Sequence, residues 1–198
     1  MKITSATFAG SSTKAEQRPA RRLPEFAFIG RSNVGKSSLI NMLCNNSKLA
    51  MTSSTPGKTK VVNHFLINDN WYLVDLPGYG YAKLDKKGKD ELRRLIDSYI
   101  CGSEDLMNLF VLIDSRHDIT RIDLDFIHQL GERGIPFSII YTKADKVGVN
   151  VLKATIERNC TVLREEWEEL PDMLVSSSED RKGREEILAY IENILKTI

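Results

Sequence analysis

The stretch Gly30-Arg31-Ser32-Asn33-Val34-Gly35-Lys36-Ser37 decides how this chain is read. It spells G-x-x-x-x-G-K-S, whose four fixed positions recur by chance about once in 25,000 starts. Its flanks raise it above a bare pattern. Phe26-Ala27-Phe28-Ile29, an apolar run between Pro24 and Gly30, suits a buried strand, and Ser37 to Leu43 suits the first turns of a helix. Strand, glycine loop and helix is the arrangement a phosphate-binding loop requires. Glycines let backbone amides wrap a phosphate chain, and the helix start adds a favourable dipole. Lys36 then reaches the outer phosphates, and the Ser37 hydroxyl is a ligand for Mg2+.

Downstream, Cys44 to Lys60 forms a long polar connection containing Thr52-Ser53-Ser54-Thr55-Pro56-Gly57-Lys58-Thr59. Loops of this length in compact domains usually carry function, and a threonine here can close over a magnesium–phosphate centre. Val61 to Ile67 and Trp71 to Val74 read as a hairpin across the turn Asn68-Asp69-Asn70. The second strand runs into Asp75-Leu76-Pro77-Gly78, a D-x-x-G. An aspartate there can hold magnesium through water, and the glycine amide can sense a terminal phosphate. Leu84 to Ile100 reads as a charged helix, rich in lysine and arginine in its first half.

Leu109 to Asp114 is a further buried strand, and Thr120 with Asp123 marks the start of a helix over Ile122 to Leu130. His117, in the intervening loop, reads as a residue held by its neighbours rather than a catalytic one. Pro136 to Tyr141 is the next strand, ending in Thr142-Lys143-Ala144-Asp145, a T-K-x-D. A carboxylate at Asp145 can accept from both the ring nitrogen and the exocyclic amine of guanine. Adenine offers no such pair, so the site would reject it. The Lys143 stem can cover the base or pack on the glycine loop. Val151 to Glu169 reads as a helix, Met173-Leu174-Val175 as a last short strand and Gly183 to Ile198 as an amphipathic helix. In Ser176-Ser177-Ser178 a backbone amide can meet the guanine carbonyl. Alternating strands and helices imply an α/β fold of the P-loop NTPase type, mostly parallel, with helices on both faces. Its ligands bind at the carboxyl ends of the strands, where Gly35, Asp75 and Asp145 all fall.

The 198 residues suffice for one full core, and 41% hydrophobic with 28% charged residues is ordinary for a soluble domain. A net charge of +1 excludes a general polycation, so nucleic acid would have to meet a local patch. Candidates are Arg18, Arg21 and Arg22, which otherwise form a solvated linker, and the segment from Lys83 to Arg94. Cys44, Cys101 and Cys160 form no CxxC, which suits reduced thiols rather than a zinc site or disulfide framework. No run is apolar enough to span a bilayer, and Met1 to Gly10 lacks the features of a signal peptide. Ile3, Ala6 and Phe8 suggest an edge strand. The division is an N-terminal extension over 1–25 and a nucleotide-binding domain over 26–198.

Taken together and in this order, GRSNVGKSS, TPGKT, DLPGYGYAK, DSRH, TKAD and the final SSS resemble the EngB (YihA/YsxC) family of bacterial GTPases. That family sits in the TrmE-Era-EngA-EngB-Septin-like superfamily, and the resemblance spans nearly the whole chain. It implies a GTPase switch that binds GTP and GDP with Mg2+. It also implies a role in assembly of the large ribosomal subunit and a part in cell division and septation. The free thiols point to the cytoplasm, and a single domain with no appended RNA-binding module points to a monomer. By position, Gly30, Arg31, Ser32, Asn33, Val34, Gly35, Lys36 and Ser37 hold phosphates, and Ser37 and Thr59 hold magnesium. Gly57, Lys58, Thr59, Lys60 and Val61 line one switch; Asp75, Leu76, Pro77 and Gly78 line the other. Thr142, Lys143, Ala144 and Asp145, with Val175, Ser176 and Ser177, hold guanine. Lys36, Thr59 and Gly78 are the implied catalytic groups. Where Ras-type proteins carry a water-orienting glutamine after D-x-x-G, this chain has Tyr79, so slow intrinsic hydrolysis is expected. Asn33 matches an asparagine that some related GTPases use for potassium, so potassium activation is a further expectation. The competing reading is a P-loop nucleotide or metabolite kinase; the chain shows neither an acceptor pocket nor an arginine lid, and T-K-x-D favours guanine.

Overall fold

In the computed structural model, which describes residues 1–14, 17–51, 61–80 and 85–198, the apolar run before the glycine loop is strand β2, Glu25–Gly30. Every residue of it is buried, as expected of a strand covered on both faces. β1 is Ala6–Ser12, β3 Val62–Ile67, β4 Trp71–Asp75, β5 Leu106–Asp114, β6 Phe137–Thr142 and β7 Met173–Val175. They form one seven-stranded sheet in the order β1-β3-β4-β2-β5-β6-β7. The β1–β3 and β3–β4 pairs are antiparallel, and the pairs from β4 through β7 are parallel. Of the residues that suggest an edge strand, Ala6 and Phe8 lie in β1 while Ile3 stands before it, and the pairing shifts register between Phe8 and Gly10.

The helices are α1 Lys36–Cys44, α2 Lys86–Gly102, α3 Arg121–Glu132, α4 Val149–Leu163 and α5 Arg184–Leu195. The pleat of β2 sorts them onto two faces. Ala27 and Ile29 join a core with Leu92 and Ile96 of α2, Ile127 and Leu130 of α3 and Leu163 of α4. Phe26 and Phe28 point the other way, into a core with Leu39 and Ile40 of α1 and Ile187, Leu188 and Ile191 of α5. Burying each such side chain stabilises the fold by roughly 1.5–3 kcal/mol. α3 starts where Thr120 and Asp123 predict, with both bonds of a capping box formed. α2 is capped by Asp85, whose side chain accepts from the Gly88 amide at 2.8 Å.

Two sequence expectations need correction. The helix read over Val151 to Glu169 stops at Leu163. Arg164 to Glu169 carries helix formers, yet beyond Leu163 the chain makes only turn bonds, the last from the Trp167 amide to Leu163 O (3.0 Å), and the half-buried Trp167 ring packs edge-on against Phe137 at 5.4 Å. The arginines before β2 are not a solvated linker. Arg18 donates to the carbonyls of Tyr99 (3.1 Å) and Gly102 (3.0 Å), closing the carboxyl end of α2, and lies over the Tyr99 ring. Arg21 donates to the Asp69 carbonyl, and Arg22 pairs with Glu104 and Asp105. Most of this basic charge is thus committed within the molecule.

Candidate nucleotide site

Gly35 sits at φ 101°, a left-handed conformation that glycine tolerates best, and turns the chain from the β2 end into α1. No side chain caps α1, and its first turn holds no acidic residue. Its leading amides and dipole therefore remain available to an anion. Lys36 donates through Nζ to the Asp75 carboxylate, joining the glycine loop to the end of β4. Both side chains are largely buried, Asp75 at 7% exposure. The D-x-x-G segment continues alongside: the Leu76 amide bonds Phe28 O (3.0 Å) and the Tyr79 amide bonds Gly30 O (3.2 Å). Gly78 is thereby held, buried, beside the first residues of the loop.

The T-K-x-D segment is tied to the same loop at two points. Thr142 Oγ1 donates to Val34 O at 2.6 Å, and Lys143 Nζ donates to Asn33 O at 2.6 Å. Lys143 adopts φ 58°, and its stem lies across Gly35, within 3.6 Å of where a Cβ would stand. A Cβ at 35 would meet that stem in ordinary contact, so it is the positive φ that calls for glycine there. Asp145 accepts from Ser177 Oγ (2.8 Å) and pairs with Lys146 (2.8 Å). Lys146 first, then Ser177, hold its carboxyl below the usual aspartate range, so it is an anion ready to accept two hydrogens. Ala144 N bonds Ser176 O (3.1 Å), which joins the T-K-x-D loop to the segment after β7. The amides of Ser176 and Ser177 are spent on the carbonyls of Tyr141 (2.7 Å) and Lys182 (3.1 Å), so neither is free for a ligand.

Gly30 to Ser37, Asp75 to Gly78, Thr142 to Asp145 and Val175 to Ser177 thus gather at the carboxyl edge of β2, β4, β6 and β7. Gly57, Lys58, Thr59 and Lys60 lie outside the described residues, and Val61 stands just before β3. Among the described residues, no group of three or more His, Cys, Asp or Glu gathers as a metal site. The donor set nonetheless fits Mg2+. Ser37 is the second residue of α1 and Asp75 faces Lys36, and magnesium takes one or two protein groups, with phosphates and water completing its shell.

Three features here carry no sequence signal of their own. Tyr79 is turned away from the phosphate loop: its hydroxyl donates to Asp123 Oδ1 at 2.8 Å and its ring stacks on Phe126 at 4.6 Å. Burial first, then the Asp123 charge, push its pKa well above 10. Asn41 of α1 anchors the start of the long connection, bonding Ser47 O (3.1 Å), Ala50 O (3.0 Å) and Ala50 N (2.7 Å). Asp114, at the end of β5, binds both Lys143 and Arg116.

Fold and site together define a P-loop nucleotide-binding protein of the GTPase type. The profile of a family described as "50S ribosome-binding GTPase" matches residues 25–143. A protein of Bacteroides thetaiotaomicron named "Probable GTP-binding protein EngB" is 60% identical over 198 residues, 100% of this chain and 98% of that protein. The crystal structure of a probable GTP-binding protein engB superposes with a TM-score of 0.67 at 21% identity, covering 88% of this chain and 100% of that one. A structure of Era with MgGDPNP and nucleotides 1506–1542 of 16S ribosomal RNA gives 0.63 at 21% identity, covering 88% of this chain and 56% of that one. These last two likenesses speak to fold. The chain belongs to the EngB family of GTP-binding GTPases.

Proposed function

We propose that this chain is a GTP-driven switch that docks on the large ribosomal subunit or its assembly precursor and supports normal cell division. The observation that carries the nucleotide part is the double tie between Val34 and Thr142 and between Asn33 and Lys143. It sets a phosphate loop and a base-reading carboxylate at a fixed spacing, as one guanine nucleotide requires. The α1 amides and Lys36 hold the phosphates, and Asp145 reads the base, with Ser177 fixing its carboxylate. The aliphatic stem of Lys143, stretched across Gly35, flanks the nucleotide between these two ends.

In hydrolysis, water attacks the last phosphate and the leaving oxygen carries the new charge onto GDP. Lys36 and the loop amides stabilise that charge in place, with no reorganisation at the moment of reaction. A bound triphosphate would compete with Asp75 for the Lys36 ammonium, and Asp75 would then be free to accept from a water of a Mg2+ shell. Ser37 and Thr59 would hold Mg2+, which when bound would supply charge neutralisation for the phosphates. The Gly78 amide senses the last phosphate. Tyr79 orients no water, because its hydroxyl belongs to Asp123. Intrinsic turnover is therefore slow, on the order of 10⁻⁴ to 10⁻³ s⁻¹ as for unassisted Ras. A partner would raise it, and K+, if Asn33 held it, would supply positive charge where an arginine finger does in other GTPases.

With the arginines before β2 committed internally, the RNA-facing surface is the exposed first half of α2, including Lys86, Lys87, Lys89 and Arg94. Among the described residues no helix is long and apolar enough to cross a membrane; action on ribosomal particles in the cytoplasm, as a monomer, is part of the same proposal. The test is sedimentation with purified large subunits. Binding is expected with a non-hydrolysable GTP analogue, weaker with GDP, falling steeply with salt, and lost on Lys86→Glu with Lys87→Glu and Arg94→Glu. Equal binding in both nucleotide states, or indifference to salt and charge reversal, contradicts it.

A further inference from the structure

The DSRH stretch, which begins at the last residue of β5, has been given no role so far, yet its Asp114 touches the site at its centre. Asp114 ends β5, the strand between the phosphate-loop strand β2 and the base-loop strand β6. Its Oδ2 lies 2.9 Å from Lys143 Nζ, and the same ammonium reaches Asn33 O at 2.6 Å. The Lys143 side chain is 25% exposed and that of Asp114 16%, so this cation sits in a sheltered place where a counter-ion matters. Arg116 takes the remaining acceptor capacity of the carboxylate: its amide (3.1 Å) and Nε (2.9 Å) reach Oδ1, and its terminal nitrogen reaches Oδ2 (2.7 Å). Burial alone would raise the Asp114 pKa, but Arg116 and Lys143 together hold it well below the usual carboxylate range.

Without Asp114, nothing on this side opposes withdrawal of the Lys143 ammonium into water, and the long side chain regains its rotamers. Lys143 itself occupies a left-handed backbone conformation, as does Asn33 at φ 62°, so both ends of the contact depend on their surroundings.

We propose that Asp114 is a positioning residue for the guanine nucleotide: acting through Lys143, it holds the base-reading loop against the phosphate loop. Arg116 orients the carboxylate and adds little on its own. This rests on the reading that residues 142–145 hold guanine.

The experiment is stopped-flow release of N-methylanthraniloyl-GDP from the full chain, for wild type, Asp114→Asn, Lys143→Ala and the double variant. Thermal melts of each variant are taken alongside. Release from Asp114→Asn is expected about tenfold faster, as for loss of one charge-assisted hydrogen bond. In the Lys143→Ala background the same change should alter release by less than about twofold, because the shared partner is already gone. Asp114→Glu keeps the charge and should recover most of the wild-type rate, and it carries the test if the Asn variant melts below the assay temperature. Arg116→Ala should quicken release by no more than about threefold. Wild-type release from Asp114→Asn overturns the proposal. So does an equal effect in the Lys143→Ala background, which would mark Asp114 as a general support of its loop, or an Arg116→Ala rate matching Asp114→Asn. Failure of the wild type to bind the probe would instead overturn the guanine reading itself.

Discussion

Replacing Tyr79 with phenylalanine removes one buried oxygen and nothing else. The ring keeps its stack on Phe126 at 4.6 Å, and the backbone bond from the Tyr79 amide to Gly30 is untouched. What is lost is the hydroxyl's bond to Asp123 at 2.8 Å. A hydrogen bond to a charged acceptor is worth about 1.5–3 kcal/mol net. Asp123 is not orphaned, because its other oxygen still accepts from the Thr120 amide (3.0 Å) and hydroxyl (2.5 Å). The loss therefore belongs in the lower half of that range, about 2 kcal/mol, or a drop of about 4–8 °C in melting temperature for a chain this size. Urea unfolding at neutral pH measures the first, and single-turnover GTP hydrolysis at saturating enzyme measures what should not change. Hydrolysis should stay within about twofold, because a hydroxyl pointed at α3 contributes nothing to water. The pH dependence checks the same bond. Tyrosine in the unfolded chain ionises near 10, while burial and then Asp123 keep folded Tyr79 protonated well above that. The unfolded state thus sheds its proton first, and wild-type stability falls as pH rises past 10. Phenylalanine has no proton to lose there, so the gap between the two proteins should narrow above pH 10. An unchanged stability with collapsed hydrolysis would refute the reasoning and return Tyr79 to the reacting water.

Gly183 opens α5 at φ 79°, and a Cβ there would drive into the Val175 carbonyl, so Gly183→Ala should cost about 3 kcal/mol or more by chemical unfolding and weaken guanine binding. Asn41→Ala removes three bonds to the 47–50 segment and should cost about 2–4 kcal/mol, read by thermal melts. Burial pushes the Glu25 pKa up, but His64, Tyr99 and Ser103 together hold it below the ordinary glutamate value, so its contribution is present at neutral pH and fades as pH falls below about 4.5. Glu25→Gln should therefore be less stable than wild type at pH 7, with the difference shrinking towards pH 3 in acid titrations followed by circular dichroism.

The parts of the site that the sequence spells are those where chemistry restricts the residue. Only Gly adopts the Gly35 turn cheaply, only a carboxylate reads guanine as Asp145 would, and both stand at strand ends visible from apolar runs. Strand and helix positions followed from burial on two faces, which writes β2, β5 and β6 as continuous apolar segments. What was not legible depends on partners distant in sequence. Asp114 gains meaning only from Lys143, 29 residues away, and Tyr79 from Asp123, 44 residues away. Arg18 to Arg22 looked like a solvated basic run because composition does not say where a guanidinium lands; the carbonyls of α2 that accept from Arg18 lie more than 80 residues on. Likewise α4 ends at Leu163, and local helix propensity in Arg164 to Glu169 carries no trace of that boundary or of the Trp167–Phe137 contact beyond it.

The most direct test of the account is equilibrium binding of fluorescent GTP, GDP, ATP and xanthosine diphosphate to the wild type and to Asp145→Asn. The expected result is strong guanine preference over adenine in the wild type, with affinity in the variant moving from guanine to xanthine. Equal binding of ATP and GTP, or a variant with unchanged preference, would contradict the guanine-reading role of Asp145 and with it the site proposed here.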